Sequence, residues 1–329
     1  MAAFTIKKGL DIKLAGAPEP LVADAPSTDT VTVFPSDFGS IKPRLEVQEG
    51  ATVKRGSPLL HDKQNEALRM TAPAGGTVAS IVYGPRRALE RIVIKVDAQE
   101  QVESYPRHQA HQISSLSREA LVGLLQQTGL LALLRQRPFG KMAQPATPPK
   151  SIFVNAAATA PFQPDVNVLL KGRETAFQAG LDALTRLTDG KVHLCLDARK
   201  ANAAALTEAR SVQVHTFDGP HPSGNTSVHI SRLDPLKPHD IVWTIKAVDV
   251  LQIGHLLLNG EVPGTRAVSV AGHGVAEGQR KYYRVRIGQS LASLLEGKLA
   301  AGEQRVIRGD ALAGEKTGEH DAVRLLDTG

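Results

Sequence analysis

The sequence predicts an α/β multidomain protein: a β-rich N-terminal part, an α/β middle with a mostly parallel sheet, and a small α+β module at the end. Three observations predict this. Up to Glu103, short apolar runs are separated by Gly, Pro and Asp, as in a fold of short strands. A proline-rich stretch, Gln144-Pro-Ala-Thr-Pro-Pro149, then interrupts the chain. Pro fixes φ and disfavours helix before it, so this reads as a stiff extended linker. Beyond it, apolar strands alternate with segments of helical period, the pattern of βα units. The 329 residues suffice for two or three domains, each burying its own core.

In the first part, residues 1–103, the runs Val31–Val33, Leu45–Val47, Val78–Val82 and Ile92–Val96 read as strands. Among them stands a frame, Val47-Gln-Glu-Gly50-Ala-Thr-Val53-Lys-Arg-Gly56-Ser-Pro-Leu59, answered by Ala72-Pro73-Ala-Gly-Gly76-Thr-Val78. Its glycines suit turns that need φ > 0, and its Val and Leu positions point into a small core. The frame resembles biotinyl and lipoyl carrier domains, whose central hairpin tip presents a modifiable Lys flanked by Met or Asp. Here the tip reads His61-Asp-Lys-Gln-Asn-Glu-Ala-Leu-Arg-Met70. Counting from Leu59 puts Glu66 near the attachment position. Lys63 then stands several residues early, without its flanking partners. The scaffold is kept and the swinging arm is lost, which points to a structural or docking role.

Residues 104–150 read as a helical segment and the linker. Ser117 can cap a helix over Arg118 to Gln127, with Leu121, Val122, Leu124 and Leu125 on or near one face. A further helical turn or two, Leu130 to Leu134, ends at Arg137-Pro138. Residues 151–275 read as an α/β domain. Strands are expected at Ile152–Val154, Lys191–Leu196, Val212–Phe217, Ile241–Ile245 and Ala267–Ala271. Helices are expected over Arg173–Leu187, closed by Asp189-Gly190, over the Ala-rich Lys200–Ala209, and over Asp249–Leu258. Residues 276–329 read as a smaller module: a strand Tyr282–Ile287, a short helix Leu291–Leu295 opened by Ser290, and a strand Arg305–Ile307.

Composition excludes several function classes. Aromatics make up 4% of the chain, too few for a single-strand nucleic-acid reader built on stacking platforms. The formal charge of +6 comes from basic residues spread along the chain, which fits a solvated surface, or attraction to an acidic partner or an anionic membrane leaflet. The lone Cys195, inside the apolar run Val192–Leu196, supports no disulfide, zinc or iron–sulfur set within one chain. No apolar run approaches the ~18 residues of a membrane span, and the N-terminus lacks an apolar signal region. The expectation is a soluble cytoplasmic chain.

An α/β sheet invites a nucleotide at a Gly-rich turn after its first strand, where bare backbone N–H groups approach a pyrophosphate. That turn is Asn155-Ala-Ala-Ala-Thr-Ala-Pro161, with no glycine. Alanine methyls crowd a phosphate and Pro161 removes a donor. The nearest glycine cluster, Ala271-Gly-His-Gly274-Val-Ala-Glu-Gly278, misses the fingerprint spacing and leads to a strand. His108 and His111 have no third ligand in register. His221, in Gly-Pro-His-Pro, sits in a loop at a strand end, where α/β proteins often bind ligands and where turn histidines are also common. One segment, Leu134-Arg-Gln-Arg137-Pro-Phe139-Gly-Lys141, sets an aromatic ring between two cations. Such a trio could stack on a flat carbonyl-bearing ring, or simply end a helix with charges that suit its dipole.

These pieces together resemble a known family. Lys7-Lys8-Gly9-Leu10-Asp11-Ile12-Lys13-Leu14-Ala15-Gly16-Ala17-Pro18 is similar to the opening of the A subunits of sodium-translocating NADH:quinone oxidoreductases. Lys42-Pro43, the carrier-like frame, Arg137-Pro138-Phe139, Ser151-Ile152-Phe153-Val154, Asp249-Val250 with Ile253-Gly254, Val268–Gly272 and Arg305-Val-Ile-Arg-Gly309 follow in the family's order. The resemblance implies a barrel-sandwich hybrid, a Rossmann-like domain and a β-grasp module of the soluble-ligand-binding type. It implies a peripheral, itself non-catalytic subunit on the cytoplasmic face of the bacterial inner membrane, in a complex with subunits B to F. That complex passes electrons from NADH to ubiquinone and exports sodium. No cofactor is expected on this chain; ubiquinone is the ligand the resemblance allows, with Arg137, Phe139 and Lys141 as its candidate contacts. The competing expectations are a stand-alone flavin or nicotinamide oxidoreductase and an acyl or carboxyl carrier. The family's chains continue past Asp327-Thr-Gly329 by a further helical segment, so the sequence is expected to be part of a longer one.

Overall fold

The computed structural model describes residues 2–39 and 41–328. These fall into two compact units. None of their helices is long and apolar enough to cross a membrane.

The first unit comprises Met1–Leu14, Pro106–Val122 and Leu131–Gly260. Its seven-stranded sheet runs Ala2–Thr5, Gln213–Asp218, Lys191–Asp197, Ser151–Ala156, Val242–Lys246, Arg135–Arg137, Lys141–Met142. The first five strands are mutually parallel, and the last two form an antiparallel hairpin on the edge. The central strands read as mostly apolar runs because both faces are covered; Phe153, Val154, Leu194, Cys195 and Leu196 are fully buried. On one side Phe153, Cys195, Phe217, Ile230 and Val242 form a cluster. The helices Glu174–Thr185 and Ala247–Asn259 meet through Gly180 and Gly254. A Cβ at either glycine would overlap backbone of the other helix.

The second unit comprises Ala15–Tyr105, Gly123–Leu130 and Glu261–Gly329. Two small antiparallel sheets build its N-terminal part. One orders Thr30–Val33, Leu89–Val96, Gly76–Tyr83 and Thr52–Val53; the other orders Pro43–Leu45, Pro58–Asp62 and Asn65–Thr71. Period-2 alternation buries Val31, Val33, Val78, Ile92 and Ile94 on the first, and Leu60, Leu68 and Met70 on the second. Glycines of the carrier-like frame do sit at positive φ, +83° at Gly50 and +96° at Gly56. A third sheet joins Thr265–Val270, Lys281–Arg286 and Glu19–Asp24 over a core of Val268, Val270, Tyr283, Val285, Leu294 and Val323.

Several elements differ from expectation. Thr265–Val270 pairs antiparallel with Lys281–Arg286 rather than joining the parallel sheet. An apolar run announces a strand but not its partner, and here a short local connection decides. The parallel sheet gains Ala2–Thr5 in its place, so the first strand leaves the N-terminal domain for the α/β unit. The Ala-rich helix shrinks to Ala204–Thr207, because Ala203 offers no side-chain cap and Asn202 instead donates to Asp197 O at 2.8 Å. Leu130–Leu133 is a 3₁₀ turn, and Arg135–Arg137 is a strand rather than a helix end. The cap at Ser117 is as read: its Oγ accepts from Ala120 N at 3.1 Å, opening the helix Arg118–Gln127.

Candidate functional site

Three places carry the sequence's candidate residues. In the carrier-like hairpin, Asp62 pairs with Asn65, so the two-residue tip is Lys63-Gln64. Glu66 lies inside the strand Asn65–Thr71 and not at the attachment position. The count from Leu59 fails because the strand Pro58–Asp62 is only five residues long, and the chain turns early. Lys63 is therefore at the tip, and it does follow an Asp. That Asp is consumed by the turn, however. Asp62 is 9% exposed, and its carboxylate accepts from Lys42 N at 3.0 Å and Gln64 N at 3.1 Å. Lys63 N in turn donates to Lys42 O at 2.9 Å. The strand Pro43–Leu45 runs beside the hairpin up to Asp62, so the tip is tied to its neighbour rather than projecting.

The second place is the C-terminal edge of the parallel sheet. Successive strands step outward from Ser151–Ala156 on one side, and then Val242–Lys246 returns to its other side. This reversal is where doubly wound sheets hold nucleotides. Here the strand end is covered by the chain's own loop Gly219–Asn225. Asn155 Nδ2 donates to Gly224 O at 2.9 Å and Thr226 Oγ1 at 3.0 Å, while its Oδ1 accepts from Ala157 N at 2.9 Å. Thr159 Oγ1 meets His221 Nδ1 at 3.1 Å and accepts from Gly224 N at 3.2 Å. Gly224 lies against Ala157 so closely that a Cβ has no room. From below, the fully buried His229 donates through Nε2 to Ser223 O at 3.0 Å. Burial pushes His229 down to about 4, so it is a neutral donor at pH 7. His221 is thus a loop residue bonded within the lock. Asn155, Gly224 and His229 carry no signal in the sequence, because only the fold brings them to one strand end.

The third place is the edge hairpin with Arg137, Phe139 and Lys141. Gln136 lies opposite Lys141, so the alternation of side chains sends Arg137 to the other face of the ladder from Lys141. The two cations therefore do not converge on one ring. Phe139 stands in the turn between them, 82% exposed. The hairpin alone provides a projecting aromatic rather than the concave pocket that a flat ligand requires.

The second unit holds a cluster the sequence does not reveal. The Arg324 guanidinium lies 3.3 Å from the Phe34 ring centroid and bonds Asp37 and Asp321, each at 3.0 Å. It borders an open cleft of about 560 Å³ that also takes in Arg91 and His320. Burial holds the Asp37 carboxyl above its ordinary range despite Arg324. With its charge answered by two carboxylates, Arg324 acts as a structural clamp. Among the described residues no group of His, Cys, Asp and Glu could hold a metal ion.

Comparison with known proteins places these features. The NqrA N-terminal barrel-sandwich hybrid domain matches residues 4–97, the NqrA second alpha/beta domain residues 116–262, and the NQRA C-terminal domain residues 267–319. The A-subunit of the Na(+)-translocating NADH-quinone reductase of Tolumonas auensis is 38% identical over 97% of this chain and 70% of its own length. The chain belongs to the NqrA family. The corresponding protein of Marinomonas sp. is 40% identical over 95% of this chain and 69% of its own length. The barrel-sandwich hybrid, the second α/β domain and the C-terminal domain of the family are thus all present in this chain. Among solved structures, an NAD+-reducing [NiFe]-hydrogenase in its air-oxidized state aligns with 64% of this chain and 46% of its own at 14% identity. Its TM-score of 0.40 is too low to carry an argument.

Proposed function

We propose that this chain serves as the A-subunit of a sodium-translocating NADH–quinone reductase, as a docking scaffold that holds no redox cofactor of its own. It sits at the cytoplasmic face of the inner membrane and is held there by subunits B to F. The observation that carries this reading is the locked strand end. Where a Rossmann-like sheet would hold a dinucleotide, Asn155 and Thr159 bind Gly224 of the chain's own loop instead. The glycine-free turn Asn155–Pro161 supports the same reading, and so does the tied hairpin tip at Lys63. A stand-alone flavin or nicotinamide enzyme would need that loop to leave. Ubiquinone contact through Arg137, Phe139 and Lys141 would need a second surface to complete the pocket, since the two cations leave opposite faces of the hairpin.

The test is genetic and biochemical together. Membranes from cells lacking this chain should lose sodium-stimulated NADH:quinone reduction and regain it when the chain is supplied. The purified chain should oxidise no NADH above a buffer blank. Activity in the purified chain, or full activity in the deleted membranes, would refute the reading.

A further inference from the structure

The edge hairpin combines three properties that a solvated loop does not need together. Phe139 is 82% exposed, whereas Phe34, Phe38, Phe153, Phe177 and Phe217 are buried. The strands that flank it are held by a ladder: Arg135–Arg137 pairs with Val242–Thr244 on one side, and Arg135 and Gln136 pair with Met142 and Lys141 on the other. Among the described residues Arg137 and Lys141 have no ion-pair partner, and the buried Arg137 Nε has no hydrogen bond. The surrounding sequence is one-sided in charge. From Ala120 to Pro164 there is no Asp or Glu; of the cations in that stretch Lys150 is paired with Asp234 and Asp240, whereas Arg137 and Lys141 are not. A rigid, presented aromatic flanked by unanswered cations has the make-up of an interface anchor. Aromatics and Arg dominate the few residues that carry most binding energy.

We propose that the tip Arg137–Lys141 is a protein-docking anchor: Phe139 enters an apolar pocket on another member of the complex, and carboxylates on that pocket's rim answer Arg137 and Lys141. This rests on the subunit reading above and names its contact. Exit of the cations on opposite faces, which spoils a site for a single flat ligand, suits a pocket with acidic walls on both sides. A lipid surface is the weaker occupant. Each basic residue near an anionic bilayer supplies about 1 kcal/mol, and one ring with two charges gives only marginal, reversible attachment.

The experiment places the photoreactive p-benzoylphenylalanine at position 139 in the full chain, expressed with the other subunits and carrying an affinity tag. The same replacement at Leu21, 53% exposed in the second unit, is the control. The expected result is a cross-link from 139, and not from 21, to one co-purifying subunit. Phe139→Ala and Lys141→Glu should each weaken that association at least tenfold while melting as the wild type does. Normal co-purification with no cross-link at 139 and no loss in Phe139→Ala would overturn the anchor and leave the subunit reading standing. Failure of the wild-type chain to co-purify with any subunit would overturn both. Phe139-dependent sedimentation with phosphatidylglycerol vesicles in the absence of the subunits would assign the tip to lipid and also overturn the proposal.

Discussion

Replacing Gly254 by Ala sets two effects of opposite sign against each other. In an isolated helix, Ala in place of Gly stabilises by about 1 kcal/mol. At this position an added Cβ would overlap the carbonyl oxygen of Ala176 and come within 3.1 Å of Gly180 N. Both obstacles are backbone of the neighbouring helix Glu174–Thr185, so neither can swing aside as a side-chain end would. Overpacking of this kind costs ~1–3 kcal/mol, and a backbone clash belongs at the upper end. The net expectation is a loss of about 2 kcal/mol, or a fall in Tm of roughly 4–8 °C for a unit of this size. Trp243 is the sole tryptophan and is fully buried in the same sheet, so its fluorescence reports unfolding of this unit. Gly123→Ala is the counterpart. It too lies in a helix, but nothing stands within 4 Å of its added Cβ, so it should raise stability in a melt followed by far-ultraviolet circular dichroism. If Gly254→Ala melts at or above the wild type, the close crossing of the two helices is wrong.

Acid should weaken the α/β unit before it protonates most carboxylates. Burial holds His193 and His229 at about 4, and lowers His215, whose Nε2 lies 3.0 Å from His193 Nδ1. Folded pKa values below the unfolded ~6.5 mean that the unfolded chain binds protons first. Stability is then full above pH 6.5 and falls toward pH 4, by on the order of 1 kcal/mol each for His193 and His229 at pH 5.5. Equal urea midpoints at pH 7.5 and 5.5, read from Trp243, would refute this. Burial pushes the Cys195 thiol well above its ordinary range, so a thiol reagent should label it only after unfolding; prompt labelling of the native chain would contradict the buried sheet. Intact mass from a host with biotin and lipoate ligases should show an unmodified chain, because the Lys63 tip is bonded to Lys42 rather than free-standing; an added biotinyl or lipoyl mass would reverse that argument. A soluble short-chain quinone should bind the isolated wild type and Phe139→Ala alike, and a several-fold advantage for the wild type would restore a ligand role to that ring.

What the sequence makes legible follows from how each signal arises. Strong local periodicity gives Glu174–Thr185 and Lys191–Asp197 nearly to their ends, because burial on one or both faces writes directly into residue order. Composition at turns gives the carrier-like frame, since Gly50 and Gly56 need the left-handed region. Partner choice between strands is not legible. Thr265–Val270 joins another sheet than expected, and Ala2–Thr5, inside the residues read as the N-terminal domain, pairs in the parallel sheet, because the same apolar alternation serves any sheet. The hairpin tip falls elsewhere than the count puts it because counting against a familiar frame assumes its strand lengths, and Pro58–Asp62 is short. The lock at the strand end is half legible. Missing glycines tell of a poor phosphate site, but the bonds from Asn155 and Thr159 to a loop some seventy residues on are tertiary facts. Arg137, Phe139 and Lys141 are legible as a group but not as a geometry, because a helix end and a β-hairpin send their side chains in different directions.

The central claim is that this chain works inside an assembly and brings no chromophore to it. Native mass spectrometry of the tagged chain, purified from membranes in mild detergent with visible absorption recorded on the same sample, tests it directly. The account predicts an assembly containing this chain together with five other subunits. After this chain is stripped off, all visible absorption should remain with the rest. A chain that purifies alone, or one that carries a flavin or other visible chromophore away with it, would contradict the account.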